Sequence, residues 1–390
     1  MRLRAALVSS AVLLSGAVFF AQQKTLPEPF ASKSVNNGPR VIKQPEGAKL
    51  SVPPGFQVEI WQEGFKVPRF MMLGPSNEIL LSDAADARRG GGSVYVLQGK
   101  ERKEIINDLD RPYGLALHDG WLYVGEPESI KRYKYDAKAM TAGPGTEVVS
   151  LKGFGRGHWT RSILFNKEGT RFCVGTGSGS NVDAGEDPRR AAINCYNPDG
   201  SGHEIYAAGT RNPIGLRWYP GTDTMWAAVQ ERDELGDDLV PDYFTHIQKG
   251  AFYGWPYAYA GPHPDPRRNE RPDLVAKTIQ GDVLLGSHVA VLDFIFYTGK
   301  QFPAQYQGGA FLAFHGSWNR SMRVGQCVAF IPFKDGKPSG GITEVVKGWM
   351  LGPEQRDVWG RPVGLLQLPD GSLLITDDGN NRIWHLSYKG

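Results

Sequence analysis

Arg111-Pro-Tyr-Gly-Leu-Ala-Leu-His-Asp-Gly-Trp-Leu-Tyr-Val-Gly125 holds the pattern on which the whole chain is built. Apolar residues alternate at period two, break at Asp119-Gly120 and alternate again. That is the signature of two short strands joined by a tight turn. The same plan returns at Arg361-Pro-Val-Gly-Leu-Leu-Gln, followed by Gly371-Ser-Leu-Leu-Ile-Thr, and at Arg211-Asn-Pro-Ile-Gly-Leu-Arg-Trp, followed by Thr224-Met-Trp-Ala-Ala-Val. Looser copies begin at Arg69 and Arg161, and a further unit from about Val289 to Pro332 lacks the leading arginine. The arginines are spaced 42, 50, 50 and 150 residues apart. A period of 40–50 residues with several strands per unit is that of a β-propeller blade. The expectation is an all-β, six-bladed β-propeller. Its last blade supplies three strands of its own, Val363–Gln367, Leu373–Thr376 and Arg382–Tyr388. The alternating Phe56-Gln-Val-Glu-Ile-Trp61 should close the ring as that blade's outer strand and remove an open edge.

Composition agrees. Gly (49) and Pro (27) make up about a fifth of the 390 residues, against roughly 12% in average usage. Gly and Pro cost about 1 and 3 kcal/mol inside helices, so a helical bundle is excluded. The chain is 41% hydrophobic and 11% aromatic, which excludes disorder. A net charge of +3 leaves no basic footprint for nucleic acid.

Met1–Arg4 is a short basic region, Ala5–Phe20 is apolar, and Gln22-Gln23-Lys24 is polar. That is the plan of a secretory signal peptide over residues 1–21, so the protein is expected to be exported, periplasmic or secreted, with no membrane span after cleavage. Residues 22–54 form a leader and 55–390 the propeller domain. Of the three cysteines, Cys173 and Cys195 fall on consecutive strands; a hairpin-bridging disulfide and three buried thiols both remain open. No Cys-x-x-Cys-His occurs, so any electrons handled here leave through a separate acceptor.

In a propeller the first strand of each blade lines the central channel, so residues that open those strands gather at one funnel. Several cations on one axis repel unless an anion lies between them. Either each arginine pairs with a local carboxylate, or the set binds a polyanion by bidentate guanidinium–carboxylate contacts.

Four segments combine reactive side chains with Gly and Trp at blade starts: Gly157-His158-Trp159-Thr160-Arg161, Gly209-Thr210-Arg211-Asn212-Pro213-Ile214-Gly215-Leu216, Glu231 through Asp238, and His315-Gly316-Ser317-Trp318-Asn319-Arg320. With Phe252-Tyr253-Gly254-Trp255-Pro256 they resemble the pyrroloquinoline-quinone (PQQ)-dependent sugar dehydrogenases. The similarity is greatest to the L-sorbosone/pyranose dehydrogenase type, with soluble quinoprotein glucose dehydrogenase more distant. The resemblance spans about Val52 to Tyr388. It implies an enzyme that oxidises an aldose or aldosone, with PQQ and Ca²⁺ as cofactors and a cytochrome or quinone as acceptor. It places His158 as the general base at the sugar's anomeric hydroxyl, a task suited to an imidazole of near-neutral pKa. Arg211 and Asn212 match a pair contacting the quinone oxygens, with Arg211 assisting catalysis. Arg69 and Arg361 match positions holding the cofactor's carboxylates. Arg161, His315, Trp318 and Asn319 would complete the cofactor's surroundings. The loop of Glu231, Arg232 and Asp233 would supply oxygen ligands to Ca²⁺, partly from its backbone. Asn181-Val-Asp183, with Glu186-Asp187, is a turn with ligand-type residues that either borders the sugar site or is an ordinary Asx-turn, the reading preferred here. Two rival functions are a calcium-dependent propeller hydrolase acting on lactones and a non-catalytic, glycan-binding propeller.

Overall fold

A computed structural model describes residues 25–155 and 157–390. The expected signal segment lies outside the described residues.

Among the described residues the strands form six four-stranded antiparallel sheets and three two-stranded pairings. Blade 1 opens with Pro68–Leu73, blade 2 with Leu115–His118, blade 3 with Ile163–Phe165, blade 4 with Asn212–Trp218, blade 5 with Val291–Phe296 and blade 6 with Pro362–Gln367. Each is the first strand of its sheet, and the next two strands follow antiparallel in chain order. Blade 6 takes its fourth strand from the other end of the chain: Phe56–Glu63 pairs with Arg382–Tyr388, Phe56 opposite Tyr388 and Ile60 opposite Trp384. Both ends of the domain thus meet in one sheet.

Period two explains how the blades stack. In the second strand of blade 5, Ala310–Phe314, Phe311 and Ala313 pack into the cluster shared with blade 6. Their neighbours Ala310, Leu312 and Phe314 pack into the cluster shared with blade 4. The second strand of blade 4, Met225–Gln230, divides the same way, Trp226 and Ala228 to one side and Met225, Ala227 and Val229 to the other. Successive side chains point to opposite faces of a strand, so each blade buries both faces against its neighbours. A fully buried Leu or Phe contributes about 1.5–3 kcal/mol. A charge on either face of these middle strands would lie inside a blade interface.

Strands that begin near the channel put the starts of all six first strands, and the loops between second and third strands, at one end of the ring. The third-to-fourth connection of blade 4 is long. It leaves the strand Pro241–His246, carries the helix Pro272–Lys277, and returns as Val283–Ser287. On its way Phe252 pairs with Ala208 at the edge of blade 3.

Blade 3 is pinned covalently. Cys173 and Cys195 are directly opposite on neighbouring strands and form a disulfide, leaving Cys327 as a buried free thiol. Closing a loop of 22 residues restricts the unfolded chain by about 3 kcal/mol. The double variant Cys173→Ala/Cys195→Ala should therefore unfold at a Tm lower by several degrees. An unchanged Tm in scanning calorimetry would refute that contribution.

Candidate active site

The arginines that open blades gather at one end of the ring, but they are not equivalent. Arg161 is fully buried, and its guanidinium donates to the carbonyls of Pro127, His158 and Thr160 at 2.7 Å. Nη1 and Nη2 are thus engaged by main-chain oxygens and hold the His158 segment in place, while Nε is buried without a partner; the expected cofactor contact of Arg161 is left to that one nitrogen. Arg69 donates to Asp378 at 2.6 Å, Arg111 to Asp86 at 3.1 Å and Arg211 to Asp233 at 3.2 Å. For these three the local-carboxylate alternative holds. Arg361 differs. Its Nε donates to the His315 carbonyl at 3.2 Å, and among the described residues no carboxylate forms an ion pair with it. Burial, followed by the neighbouring cation Arg69, holds the Arg361 pKa down at about 10 even though Asp378 pulls it up.

These groups form a continuous rim. Asp378 accepts from Arg69 on one oxygen and lies 2.8 Å from His315 Nε2 on the other. Burial alone would raise the Asp378 carboxyl; His315, Arg69 and Arg361 around it hold it well below the usual range. Burial, then Arg361, pushes His315 down to about 4, so this ring is neutral at pH 7. The Trp159 indole carries two guanidiniums on its ring, Arg69 at 4.9 Å and Arg111 at 5.7 Å. Its chain neighbour is His158.

His158 sits in the left-handed region at φ 42°, a conformation that costs free energy for a residue with a side chain. Its Nδ1 lies 2.8 Å from the Ser178 carbonyl and 3.0 Å from the Ser178 hydroxyl. A carbonyl only accepts, so Nδ1 carries the hydrogen and Nε2 carries the lone pair. Among the described residues Nε2 makes no hydrogen bond. Gly177 is needed beside it: a Cβ there would stand 2.4 Å from both His158 Cβ and Asn212 Oδ1. The expectation of a near-neutral pKa is corrected, because burial and then the Arg211 charge push His158 down to about 3.

The Asn212 amide is oriented through Gln230. Gln230 Nε2 donates to the Val291 carbonyl, so Gln230 Oε1 must accept, and it accepts from Asn212 Nδ2 at 3.0 Å. Asn212 therefore turns its oxygen, buried and without a partner, toward the site. In this arrangement one Nδ2–H of the amide is engaged by Gln230 and the oxygen is unpartnered. Asn319 is spent on both sides, accepting from the Glu234 N–H and donating to the Val35 carbonyl at 2.8 Å each. It ties the leader to the acidic loop. Trp318, 40% exposed, stands at the rim.

The acidic loop is already paired with protein. Arg232 and Glu231 are fully buried side chains bonded to each other at 3.0 Å, and Arg232 also pairs with Asp265. Asp233 meets Arg211 and, at 3.3 Å, His288 Nδ1. The Glu231 and Asp233 carbonyls accept from Arg211 and from Asn181 and Arg267. Among the described residues no three His, Cys, Asp or Glu side chains are grouped to hold a metal. Within the loop Glu231 Oε1 alone is buried without a partner, so the expected ligation by Glu231, Arg232 and Asp233 is left as an expectation.

Sequence reasoning missed four participants. Arg111 and Trp159 stood in quoted motifs without a role. Asp378 follows the second strand of blade 6 with no motif around it. Asn181, read as a turn residue, bonds Arg211, Asp233 and Trp255.

The pattern of the TrAA12-like family matches residues 50–248 and 265–389, most of the chain. The chain belongs to this family. The resemblance to PQQ-dependent sugar dehydrogenases stands with it. A fold similar to the PQQ domain of pyranose dehydrogenase from Coprinopsis cinerea, solved in its holo form, covers 88% of this chain and 98% of that one, with a TM-score of 0.74 and 19% identity. The calcium structure of the family AA12 enzyme of Trichoderma reesei covers 90% and 99%, with a TM-score of 0.75 and 19% identity. An uncharacterised protein of Borreliella burgdorferi is 27% identical over 361 residues, 87% of this chain and 91% of that protein.

Both rim histidines have folded pKa values below the unfolded value of 6.5. Between about pH 6.5 and pH 4 the unfolded chain binds more protons, so their contribution is complete above that window and is lost as pH falls through it. Tm should fall more steeply from pH 6.5 to 4.5 in the wild type than in a His158→Gln/His315→Gln variant. Equal slopes would contradict the assignment of two neutral, buried imidazoles.

Proposed function

We propose that this protein is a quinoprotein oxidoreductase that oxidises an aldose or aldosone at C1 and passes the electrons to a separate acceptor. The observation that carries the proposal is the pairing of an anchored imidazole, His158, whose Nε2 makes no hydrogen bond among the described residues, with a rim of Arg69, Arg111, Arg211 and Arg361, of which Arg361 forms no direct ion pair among the described residues although Asp378 and Asp377 lie near.

The residues fit PQQ, a planar tricarboxylate. Among the described residues Arg361 forms no direct ion pair, Arg69 Nε is buried without an acceptor, and Asn212 Oδ1 is buried without a donor. Arg69, Arg361 and Arg111 would hold the cofactor's carboxylates, and His315 would keep the Asp378 charge oriented toward Arg69. When bound, PQQ supplies a two-electron acceptor for hydride. The chain's own part is the proton. Ser178 holds Nδ1–H, so the Nε2 lone pair takes the proton of the sugar's anomeric hydroxyl. Arg211 keeps a fixed positive charge beside the reacting oxygens, where negative charge develops. In the Glu231–Asp233 loop, Arg232 pairs with Glu231 Oε2 and Asp233 with Arg211, while Glu231 Oε1 is buried without a partner; no step is assigned to a metal.

The rival hydrolase would need carboxylate or Asn oxygens converging on a central metal. The carboxylates of the rim described above, Asp378, Asp86 and Asp233, are each paired with an arginine, and Arg361 adds a further cation, so the rim favours an anionic cofactor. A purely glycan-binding propeller has no use for a tautomer-fixed imidazole with a free nitrogen. Export, with residues 1–21 as the signal, belongs to the same proposal.

Reconstituted with PQQ, the purified protein should show a quinone spectrum and reduce a dye in the presence of aldoses or aldosones. No quinone spectrum and no sugar-dependent reduction would sink the proposal. His158→Ala should lower kcat by roughly 10²–10⁴-fold, with PQQ affinity in an absorbance titration nearly unchanged. Parallel loss of binding would make His158 a cofactor holder and not the base.

A further inference from the structure

Arg211 is held on all three of its nitrogens. Nη1 donates to the Glu231 carbonyl at 2.6 Å; Nη2 donates to Asn181 Oδ1 at 3.0 Å and Nε to the Asn181 carbonyl at 3.3 Å. One residue therefore takes both nitrogens of one edge of the guanidinium. The same Oδ1 accepts the Asp233 N–H at 2.9 Å, and Asn181 Nδ2 donates back to the Asp233 carbonyl at 3.1 Å. Asn181 thus stands between Arg211 and the main chain of the acidic loop.

Asn181 is itself gripped from outside blades 3 and 4. The Trp255 indole N–H donates to the Asn181 carbonyl at 2.8 Å. Trp255 belongs to the blade 4 connection, in the interval 249–264 that the family pattern leaves uncovered. Farther along that connection Arg268 donates to the Val182 carbonyl at 2.6 Å and to Asp183 at 3.1 Å, and Arg267 donates to the Asp233 carbonyl at 3.0 Å. Trp255 and Arg268 are thus independent anchors on residues 181–183, and Arg267 anchors the loop opposite.

We propose that Asn181, braced by Trp255, is a positioning residue that sets the direction of the Arg211 guanidinium, so that the blade 4 connection tunes the reaction centre. This rests on the function proposed above. The physical reason for an amide here is its neutrality. An acceptor must fix Arg211, yet a second carboxylate beside Asp233 would cancel the charge that the site uses. With the amide oxygen removed, the remaining side-chain acceptor is Asp233, 3.2 Å from Nη2, and the guanidinium turns onto it.

The test uses three variants of the full chain: Asn181→Ala, Asn181→Asp and Trp255→Phe. The Nε–H signal of Arg211 in ¹H–¹⁵N spectra of the apoprotein, assigned by its loss in Arg211→Lys, reports the guanidinium without any cofactor. In Asn181→Ala that signal should move and exchange faster with water. With PQQ and sugar, kcat should fall by about tenfold or more while KM for the sugar changes less, since the misplaced group acts on the reaction and not on sugar binding. Asn181→Asp keeps the acceptor, so it should retain the slow-exchanging signal yet bind PQQ more weakly, through the added negative charge. Trp255→Phe keeps the packing and removes a single donor; it should shift the Arg211 signal and lower kcat by a smaller factor, with Tm nearly unchanged. An unmoved Arg211 signal in Asn181→Ala and Trp255→Phe, with kcat within twofold of wild type, would overturn the inference. Wild-type protein that neither binds PQQ nor oxidises sugars would overturn the functional reading instead, and the Arg211 signal would still decide whether Asn181 orients it.

Discussion

Guanidinium groups brought out of water at one end of a closed ring are the constraint around which this site is organised. A buried cation is strongly unfavourable unless it is paired or hydrogen-bonded, and the chain meets that demand in graded ways. Arg161 is surrounded by carbonyls and serves the main chain. Arg69, Arg111 and Arg211 each take a carboxylate. Arg361 takes a carbonyl and keeps its charge uncompensated by an ion pair. The grading separates support from function: the more completely a guanidinium is satisfied by protein, the less it can do for a ligand. The carboxylates are shared as well. Asp378 serves Arg69 and His315 together, and Asp86 serves Arg88 and Arg111. The rim therefore keeps a positive balance although most of its members are paired.

The fold was legible in the sequence because one feature, period-two alternation with a turn at fixed spacing, is repeated in every blade. A local pattern repeated that often outweighs the ambiguity of any single copy. The missing fourth strand of blade 6 could be inferred because a propeller with an unpaired edge is incomplete, and Phe56–Glu63 fills that edge. The site was only partly legible. Arg161 and Arg361 occupy the same place in the repeat, yet one is enclosed by carbonyls and the other faces the funnel. What separates them is the Pro127 carbonyl of a neighbouring blade, which no local pattern encodes. The direction of the Asn212 amide was not legible, since it depends on Gln230 and through it on Val291, 61 residues beyond Gln230. Asn181 looked like a turn residue because its turn is local; its partners, Asp233 and Trp255, lie 52 and 74 residues away. The disulfide lay between these cases. Strand neighbourhood made it available, and only the register, Cys173 directly opposite Cys195, decided it.

His158 shows why the rim and the reaction belong to one design. In the proposed reaction the base must be unprotonated when its substrate arrives, and burial, then the Arg211 charge, favours that in His158 by holding its pKa near 3. A base that weak takes a proton reluctantly, since proton transfer is best driven when the pKa lies near the working pH. The same cation that keeps the ring neutral therefore also limits it. An anion placed against Arg211 and Arg361 removes part of that limit, because it offsets the charge that disfavours the imidazolium. The imidazole then becomes a better base when the anionic ligand is present than when it is absent. Desolvation works in the same direction on the substrate side, where a hydroxyl out of water has few acceptors other than Nε2. On the proposed function, the free protein holds a resting imidazole kept neutral first by burial and then by Arg211, and an anion drawn to the arginines would make that ring the stronger base.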